Sequence, residues 1–256
     1  MKIVLCANHR AGFEALNLFI TEEITYVSSL LIFTHKNKES ARIIDECKKR
    51  NINFHVKNIN EYEFEIAKFE PDIILSCYYR FILQEKILKL AKIGCLNIHP
   101  SLLPYYKGAL SSPWAIINKE KYSGVSIHEM IERVDEGKII VQQSIKLRED
   151  ETAYSLYHRL VTLAIQLLPK ALKLYMSGFK GNDQDIATDL SKLYFSRDLP
   201  YGGILNTNDT TYEEACIFIR AMFFPPYDGA KFKLNDGKVI EVSNFEEIQP
   251  FIKEFV

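Results

Sequence analysis

Two short apolar runs joined by a helical pattern fill residues 73–104, which read IILSCYYRFILQEKILKLAKIGCLNIHPSLLP. Ile73–Leu75 and Cys95–Ile98 are predicted strands, since continuous apolar runs fit a sheet that is buried on both faces. Gln84–Ala91 lies between them and carries helical spacing. Strands about 20 residues apart need a crossover connection, and a helical crossover makes them parallel members of a sheet covered by helices. The segment therefore predicts an α/β fold.

The same alternation of strands and helices extends in both directions along the chain. Upstream, strands are predicted at Ile3–Cys6, Leu30–Phe33 and Phe54–Val56, with helices over Phe13–Thr21, Glu39–Arg50 and Tyr62–Phe69. Downstream, the β-branched segments Gly124–Ile131 and Lys138–Lys146 are close enough to pair as antiparallel strands. A long amphipathic helix follows, capped by Asp150 or Thr152, and Pro169 inside it predicts a kink or a division.

A polar, glycine-containing stretch at Ser177–Asp183 interrupts this pattern and predicts a domain boundary. We expect a main domain over residues 1–180 with a mostly parallel sheet, and a small C-terminal α+β domain over residues 181–256. The C-terminal domain is predicted to contain a helix at Tyr212–Met222 and a β-hairpin with its turn at Asn235–Gly237.

Composition and charge argue against several classes of protein. With 47% hydrophobic residues and 32 basic against 33 acidic side chains, the 256-residue chain is globular rather than disordered, and its net charge of -1 gives no support to nucleic-acid binding. Five scattered cysteines without a CxxC pair favour reduced thiols over a disulfide framework or a zinc site, so no metal is expected. The N-terminal apolar run is too short for a signal peptide. The sequence contains no run of about 18 apolar residues, so it predicts no membrane helix. We therefore predict a cytoplasmic protein without a membrane partner.

Ligands of parallel sheets bind beyond the carboxyl ends of the strands, so the loops after the first, fourth and fifth strands are the places to look for a site. The first loop, Asn8-His9-Arg10-Ala11-Gly12, lacks the G-x-G-x-x-G pattern of dinucleotide-binding folds, which argues against NAD or FAD. It leads into a helix N-terminus, where His9 and Arg10 predict contact with an anionic substrate. The alternative is a solvated loop with incidental polar residues.

The fifth strand ends with an amide and an imidazole on one face. Asn97 and His99 are two residues apart, so their side chains point the same way along an extended strand. An amide can stabilise an oxyanion and an imidazole can move a proton, which suits acyl chemistry. A lone histidine in a buried strand is nevertheless more often a hydrogen-bonded core residue. Asp135 could face this pair across a cleft, although Asp-x-Gly is also common turn chemistry.

Three segments around these residues carry a family resemblance. Asn97–Pro104, Tyr106–Gly108 and Asp135–Gly137 together resemble the signature of the formyltransferases that use 10-formyltetrahydrofolate. The resemblance extends from about Lys2 to Lys170. It implies that residues 1–180 form a Rossmann-like formyltransferase catalytic domain, with the remaining residues as a small C-terminal appendage.

The resemblance also implies the chemistry. Asn97, His99 and Asp135 occupy the positions of the family's catalytic trio, and the co-substrate is N10-formyltetrahydrofolate, with no metal. Attack of a neutral amine on the formyl carbon would give a tetrahedral intermediate whose oxyanion Asn97 and His99 stabilise. Asp135 would hold the charge state of His99 and help move the amine proton to the departing folate nitrogen.

Two segments match those that hold the pterin in relatives, largely through backbone groups. The folate-binding residues implied are Tyr79, Arg80, Phe81, Ile82, Ile131, Glu132, Arg133, Val134 and Asp135. The chain departs from the usual family pattern at Lys107, where many members carry arginine, and at Lys138, where proline is frequent. Neither departure touches the catalytic trio.

The acceptor is expected to be an amino sugar on a nucleotide. Asn8–Gly12, Pro113–Asn118 and Ile219–Tyr227 resemble the sugar-nucleotide N-formyltransferases. Residues 180–256 carry eight basic and thirteen acidic side chains, which would repel tRNA and disfavours a methionyl-tRNA formyltransferase. Glycinamide ribonucleotide formyltransferases do not obviously need the extra C-terminal residues. A hydrolase and a catalytically inactive folate- or nucleotide-binding module remain alternatives.

This branch implies a set of substrate contacts. A nucleotide carrying, for example, a 4-amino-4,6-dideoxyhexose needs a cation near its pyrophosphate and an aromatic face for its base. The residues predicted to supply these contacts are Asn8, His9, Arg10, Tyr105, Lys107, Tyr194 and Arg197. An equal alternative for Tyr194 is packing of the C-terminal segment onto the main domain. Members of this branch are often homodimers, so we predict a homodimer with small-molecule substrates.

Overall fold

The computed structural model describes residues 1–21, 24–185 and 191–256. Its strands are β1 (Lys2–Ala7), β2 (Ser29–Phe33), β3 (Asn53–His55), β4 (Ile73–Cys77), β5 (Gly94–His99), β6 (Lys107–Gly108), β7 (Tyr122–Glu129), β8 (Ile139–Lys146), β9 (Leu193–Tyr194), β10 (Ile204–Asn206), β11 (Ala230–Lys233) and β12 (Val239–Val242). The α-helices are α1 (His9–Ile20), α2 (Ala41–Lys49), α3 (Glu63–Phe69), α4 (Glu85–Leu88), α5 (Ser111–Ile117), α6 (Ala153–Met176), α7 (Tyr212–Met222) and α8 (Phe245–Ile248). Short 3₁₀ helices lie at Lys38–Ser40, Ile59–Glu61, Pro200–Gly203, Thr207–Asp209 and Gln249–Glu254.

A seven-stranded sheet forms the centre of the molecule, in the order β3-β2-β1-β4-β5-β7-β8. The first five strands in that order are parallel, whereas β7 runs antiparallel to β5 and β8 antiparallel to β7. The predicted α/β class and mostly parallel sheet are confirmed. Because the chain builds outward from β1 on one side and from β4 on the other, strand order reverses between them, and ligands of such sheets bind at this point.

The two faces of the sheet bury alternate residues of the same strand. On β1, Ile3 and Leu5 pack into a large cluster with α1 and α6. Val4 and Cys6 pack into a second cluster with residues from around α3 and α4. A period of two along a strand produces this division, and both faces are covered because both sets of residues are apolar.

Helix α6 is continuous over 24 residues, although a proline lies inside it. Thr152 caps its start, with its hydroxyl accepting from the Ser155 amide at 3.0 Å. The predicted division at Pro169 does not occur, because buried leucines on both sides of the proline, including Leu167 and Leu172, hold the helix against the sheet.

Two predicted helix boundaries were wrong, and one of them bears on the site. Helix α1 begins at His9 rather than at Phe13, immediately after the extended residue Asn8. The polar residues at its start hid this first turn from an argument based on apolar spacing. Helix α4 is a single turn, much shorter than the predicted Gln84–Ala91. The early start of α1 places its N-terminus directly at the carboxyl edge of β1.

The C-terminal region contains the predicted helix α7 and the predicted hairpin, which joins β11 and β12 through Gly237 at φ 85°. A third apolar cluster lies here, centred on Phe218 and Phe232. The contacts that tie the region to the rest of the molecule include the pairing of β9 with β6 and the packing of Ile217 of α7 in the main core. Among the described residues, no helix is long and apolar enough to cross a membrane.

Candidate active site

Four polar side chains meet at the carboxyl end of β5, and we call them the catalytic cluster: Asn97, His99, His128 and Asp135. Asn97 and His99 lie on β5 and share one face. His128 lies on β7, directly opposite Asn97 in the antiparallel register. Asp135 belongs to the loop between β7 and β8, which folds back over that face. The structure thus brings together the three residues that the sequence predicted as a trio.

The carboxylate of Asp135 is at the centre of the cluster and only 8% exposed. Its Oδ1 accepts from Asn97 Nδ2 at 3.2 Å and lies 3.3 Å from His128 Nε2. Its Oδ2 accepts from the Gly108 amide at 2.7 Å and lies 3.3 Å from His99 Nδ1. Burial alone would raise the pKa of Asp135, but the two imidazoles and the Gly108 amide hold that pKa below its ordinary value. Asp135 is therefore an ionised, fully hydrogen-bonded group at neutral pH.

His99 is buried with an oxygen acceptor facing each ring nitrogen. Nε2 lies 2.9 Å from the Tyr106 carbonyl oxygen, and Nδ1 faces Asp135. A proton on Nε2 is donated to that carbonyl, which leaves Nδ1 as the position where a second proton can be gained or lost beside a carboxylate. Burial lowers the pKa of His99, while the Asp135 charge acts in the opposite direction. His99 is thus a base whose protonated form is stabilised by the Asp135 carboxylate.

His128 completes the cluster, although sequence reasoning assigned it no role. Its Nδ1 lies 2.9 Å from the Glu129 carbonyl oxygen, so Nδ1 carries the proton and Nε2 is free to accept. Asn97 Nδ2 lies 3.2 Å from that Nε2, so the Asn97 amide shares its hydrogens between His128 and Asp135. The signal that could have found His128 is its register opposite Asn97, which depends on pairing between distant strands.

The predicted anion loop lies at the switch between β1 and β4. Asn8 is fully buried, and its Oδ1 accepts from Ser40 Oγ at 2.7 Å. Its Nδ2 is buried without a hydrogen-bond partner among the described residues. His9 follows at φ 55°, a conformation uncommon outside glycine and frequent at functional sites. Arg10 Nη1 bonds His158 Nδ1 at 2.8 Å, and its Nε lies 3.6 Å from Glu14.

The segment after β4 places the charged Arg80 beside this loop, where it meets His35 from the segment after β2. The Arg80 amide donates to His35 Nε2 at 3.2 Å, and the His35 ring packs on Tyr79 and Phe81 with centroids 4.7 and 5.1 Å apart. Burial and the nearby Arg80 charge lower the pKa of His9, and the same two causes lower that of His35 to about 4. Sequence reasoning assigned no functional role to His35.

The two segments predicted to hold folate both border the second apolar cluster. Tyr79 and Met130, which adjoin these segments, pack against it. Tyr79 has a structural role, since its hydroxyl donates to the Lys57 carbonyl at 2.8 Å and accepts from the Ile59 amide at 3.1 Å. Ile82 is 65% exposed and Ile131 44% exposed, which leaves apolar side chains uncovered on both segments. Uncovered apolar side chains beside open backbone are compatible with a flat aromatic ligand.

The other predicted substrate residues have different surroundings. Lys107 is buried, and its Nζ donates to Glu136 at 2.7 Å, so its charge is already compensated rather than free for a phosphate. Tyr194 packs on Trp114 and Tyr106 at centroid distances of 4.8 and 6.0 Å. Arg197 is exposed, with its guanidinium over the Phe195 ring.

Two observations complete the description of the site. Tyr105 is partly exposed on the loop that leads from β5 to β6. Among the described residues, no group of three or more His, Cys, Asp or Glu side chains is placed to hold a metal ion.

Comparison with known proteins agrees with this geometry. Residues 34–172 match the family model described as formyl transferase, which is more than half of the chain. The chain is 38% identical over 225 residues to the GDP-perosamine N-formyltransferase of Brucella melitensis, covering 86% of this chain and 84% of that protein. This match over most of both chains includes β5, β7 and the loop of the catalytic cluster.

Solved structures share the fold over nearly the whole chain. A 4-N formyltransferase from Francisella tularensis superposes with a TM-score of 0.79 at 22% identity, covering 95% of this chain and 96% of that one. The N-formyltransferase from Helicobacter canadensis, solved in complex with folinic acid and dTDP-3-aminofucose, has a TM-score of 0.73 at 21% identity, covering 94% and 87%. From its sequence match and its fold, this chain belongs to the formyltransferase family.

Proposed function

We propose that this protein transfers a formyl group from N10-formyltetrahydrofolate to the amino group of a nucleotide-linked amino sugar. The observation that carries the proposal is the convergence of Asn97, His99 and Asp135 in a chain that shares 38% identity with a GDP-perosamine N-formyltransferase. The folate supplies the activated formyl group. The remaining chemistry consists of orienting the amine, stabilising charge on the formyl oxygen and moving one proton.

The catalytic cluster has the groups for these tasks. Negative charge that develops on the formyl oxygen needs preorganised donors, and the Asn97 amide and a protonated His99 are suited to this role. Asp135 stays ionised at neutral pH, because its pKa is held below the ordinary range. Neutral His99 takes up at Nδ1 the proton that the amine loses, an ionised Asp135 stabilises the resulting imidazolium, and the proton then passes to the departing folate nitrogen. Each hydrogen bond in the cluster therefore favours the charge distribution of acyl transfer.

The acceptor is placed on the side of the loop after β1. A diphosphate there would lie at the start of the 12-residue helix α1, beside His9 and Arg10. It would also lie close to Asn8, whose buried Nδ2 has no hydrogen-bond partner among the described residues. Arg80 adds a positive charge from the segment after β4. Tyr194, Arg197 and Tyr105 are proposed to contact the nucleoside. Lys107 is assigned instead to holding Glu136, since the two form a buried ion pair.

We place the folate on the side of the catalytic cluster that faces away from the loop after β1. Its pterin would lie between the segments 79–82 and 131–135, contacting backbone groups and the uncovered Ile82 and Ile131 side chains. The proposal also includes a homodimer, a division into domains 1–180 and 181–256, and a cytoplasmic location with no nucleic-acid partner. The homodimer follows from the resemblance to the sugar-nucleotide branch, and the domain division from the polar stretch Ser177–Asp183. The location follows from the scattered cysteines, and the lack of a nucleic-acid partner from the charge of the chain.

The experiment measures consumption of 10-formyltetrahydrofolate with and without acceptor. The panel contains GDP-, dTDP- and UDP-linked amino sugars, with glycinamide ribonucleotide as a family control. Loss of the donor that depends on an amino-sugar nucleotide, with a product heavier by one formyl group, is the expected result. Loss without any acceptor indicates a hydrolase, transfer to glycinamide ribonucleotide alone indicates the other small-molecule branch, and no loss indicates a binding module; each of these overturns the proposal.

A further inference from the structure

Gln184 contacts the catalytic loop although it lies outside the catalytic cluster and in the C-terminal region of the sequence. Its Nε2 donates to the Asp135 carbonyl oxygen at 2.9 Å and to the Gly137 carbonyl oxygen at 2.6 Å. One side-chain amide therefore fixes two backbone positions of the segment that carries the central carboxylate.

The approach of Gln184 follows from a short antiparallel contact. Asn182 and Ile139 exchange both backbone hydrogen bonds, with N···O distances of 2.9 and 2.8 Å. Asp183 forms an exposed ion pair with Lys138 at 3.3 Å. After the pairs Asn182–Ile139 and Asp183–Lys138, the next pair in this antiparallel register is Gln184–Gly137. The side chain of Gln184 is therefore within reach of the carbonyl oxygens of Asp135 and Gly137. The hydrogen bonds of Gln184 therefore follow from the pairing of residues 182–184 with residues 137–139.

The backbone that Gln184 holds is in an uncommon conformation. Asp135 has φ 55°, which a non-glycine residue rarely adopts without support from its surroundings. At Gly137 an added Cβ would lie 1.8 Å from the Glu129 carbonyl oxygen, so the chain passes too close there for any side chain. Support comes from the Gly108 amide on the carboxylate and from Gln184 on the backbone. Without Gln184, the backbone that carries the carboxylate loses the two hydrogen bonds that hold it in place.

We propose that Gln184 is a positioning residue for formyl transfer, which fixes the Asp135 carboxylate against His99 by holding the carbonyls of residues 135 and 137. The inference rests on the proposed function, because the reaction supplies its kinetic readout. It also gives one residue from beyond the main domain a role in positioning the Asp135 carboxylate. A second readout, the titration of His99, does not depend on turnover.

The test replaces Gln184 by methionine, which keeps the length of the side chain and removes both donor hydrogens. Because a displacement of about 1 Å at a reacting group costs on the order of a hundredfold, we expect kcat to fall about tenfold to a hundredfold. In an Asp135→Asn background the same substitution should change kcat less than about twofold, since residues that act through one group are not additive. The matched control is Asp183→Asn, which breaks the neighbouring ion pair and leaves both Gln184 bonds in place; its kcat should be unchanged.

NMR titration of the His99 ring distinguishes positioning from general stability. The Asp135 charge acts to raise the pKa of His99, so a displaced carboxylate should lower that pKa in folded Gln184→Met protein. If the substitution lowers only the melting temperature and leaves kcat and the His99 titration unchanged, the inference is wrong. It is also wrong if the loss in kcat is as large in the Asp135→Asn background. Failure of the proposed function would appear separately, as a wild-type protein that transfers no formyl group, and the titration would still decide the role of Gln184.

Discussion

The carboxyl edge of the sheet has two halves that are built in opposite ways. On the β5–β7 side, the ionisable groups of the catalytic cluster are buried, and each finds a partner inside the protein. On the β1–β2–β4 side lies a group that we call the cationic edge: His9, Arg10, His35 and Arg80. Its charges are partly exposed, and the acidic residues near it are Glu14 and Glu39.

We propose that this difference separates a site for chemistry from a site for binding. Interactions that are complete before substrate arrives need no reorganisation during the reaction, which is what electrostatic stabilisation of a transition state requires. Neighbouring positive groups lower each other's affinity for protons, and an anion that binds between them relieves this repulsion. Substitutions in the catalytic cluster should therefore reduce kcat, whereas substitutions at the cationic edge should change binding and proton uptake.

The largest effect is expected from Asp135→Asn. Asparagine tolerates positive φ and keeps an oxygen that can accept from Gly108, so the loop should survive. The charge that stabilises protonated His99 is lost, and removing a group of this kind costs about 10² to 10⁴ in rate. Steady-state kinetics should show this loss in kcat, with KM for both substrates within about threefold of wild type.

The outcome that contradicts this prediction is a variant with near-normal kcat. Such a result would show that the carboxylate is a turn residue, as its Asp-x-Gly setting also permits. Asp183→Asn is again a suitable control, because it removes a carboxylate charge next to the bridge between Ile139 and Asn182 without touching the cluster.

A smaller effect is expected at the cationic edge, from Arg10→Met. The substitution keeps the apolar stem of the side chain and removes the charge proposed to face the diphosphate. Because charge-assisted hydrogen bonds contribute roughly 1.5–3 kcal/mol, KM for the nucleotide sugar should rise about tenfold or more, with little change in kcat. The salt dependence of kcat/KM should also weaken.

Arg50→Met is the matched control for this prediction. Arg50 ends helix α2, and its Nε bonds Glu46 at 3.0 Å on the surface. Its loss should leave KM unchanged. If Arg10→Met instead lowers kcat at saturating substrate, or behaves like Arg50→Met, then the proposed assignment of binding to the cationic edge and of chemistry to the catalytic cluster is wrong.

Most of the fold could be predicted from the sequence, because strands of a doubly covered sheet are continuous apolar runs. Ile73–Leu75 and Cys95–Ile98 each lie within an observed strand. The failures have local causes. The first turn of α1 consists of polar and small residues, and Pro169 remains inside a helix because tertiary packing outweighs its preference.

The site was less accessible to sequence reasoning. Asn97 and His99 share a face through simple alternation, so their pairing was predictable. The contacts of His128 and Gln184 depend on the register between segments far apart in the chain. Lys107 was expected to face a phosphate and lies in a buried ion pair with Glu136, a partner that no spacing rule would have selected.

The smallest effect concerns proton uptake by His35. Its pKa is about 4 in the folded protein, against 6.5 for an unperturbed histidine, because of burial and the nearby Arg80 and His9. Between these two values the unfolded chain binds more protons than the folded chain, so the free energy of unfolding decreases as the pH falls from 6.5 to 4.

Replacing His35 by glutamine removes this contribution while keeping an acceptor for the Arg80 amide. Since the ring is partly exposed and solvent screens its charge, we expect the melting temperature of the variant to fall about 2 °C less than that of wild type over this pH range. An anion bound at the cationic edge stabilises the protonated ring. Addition of a nucleoside diphosphate should therefore reduce the difference between the two proteins, and His35 should take up a proton on binding. If the diphosphate leaves the His35 titration unchanged in an NMR experiment, the cations of this edge do not surround the anion, and Arg10 must bind it apart from Arg80 and the two imidazoles.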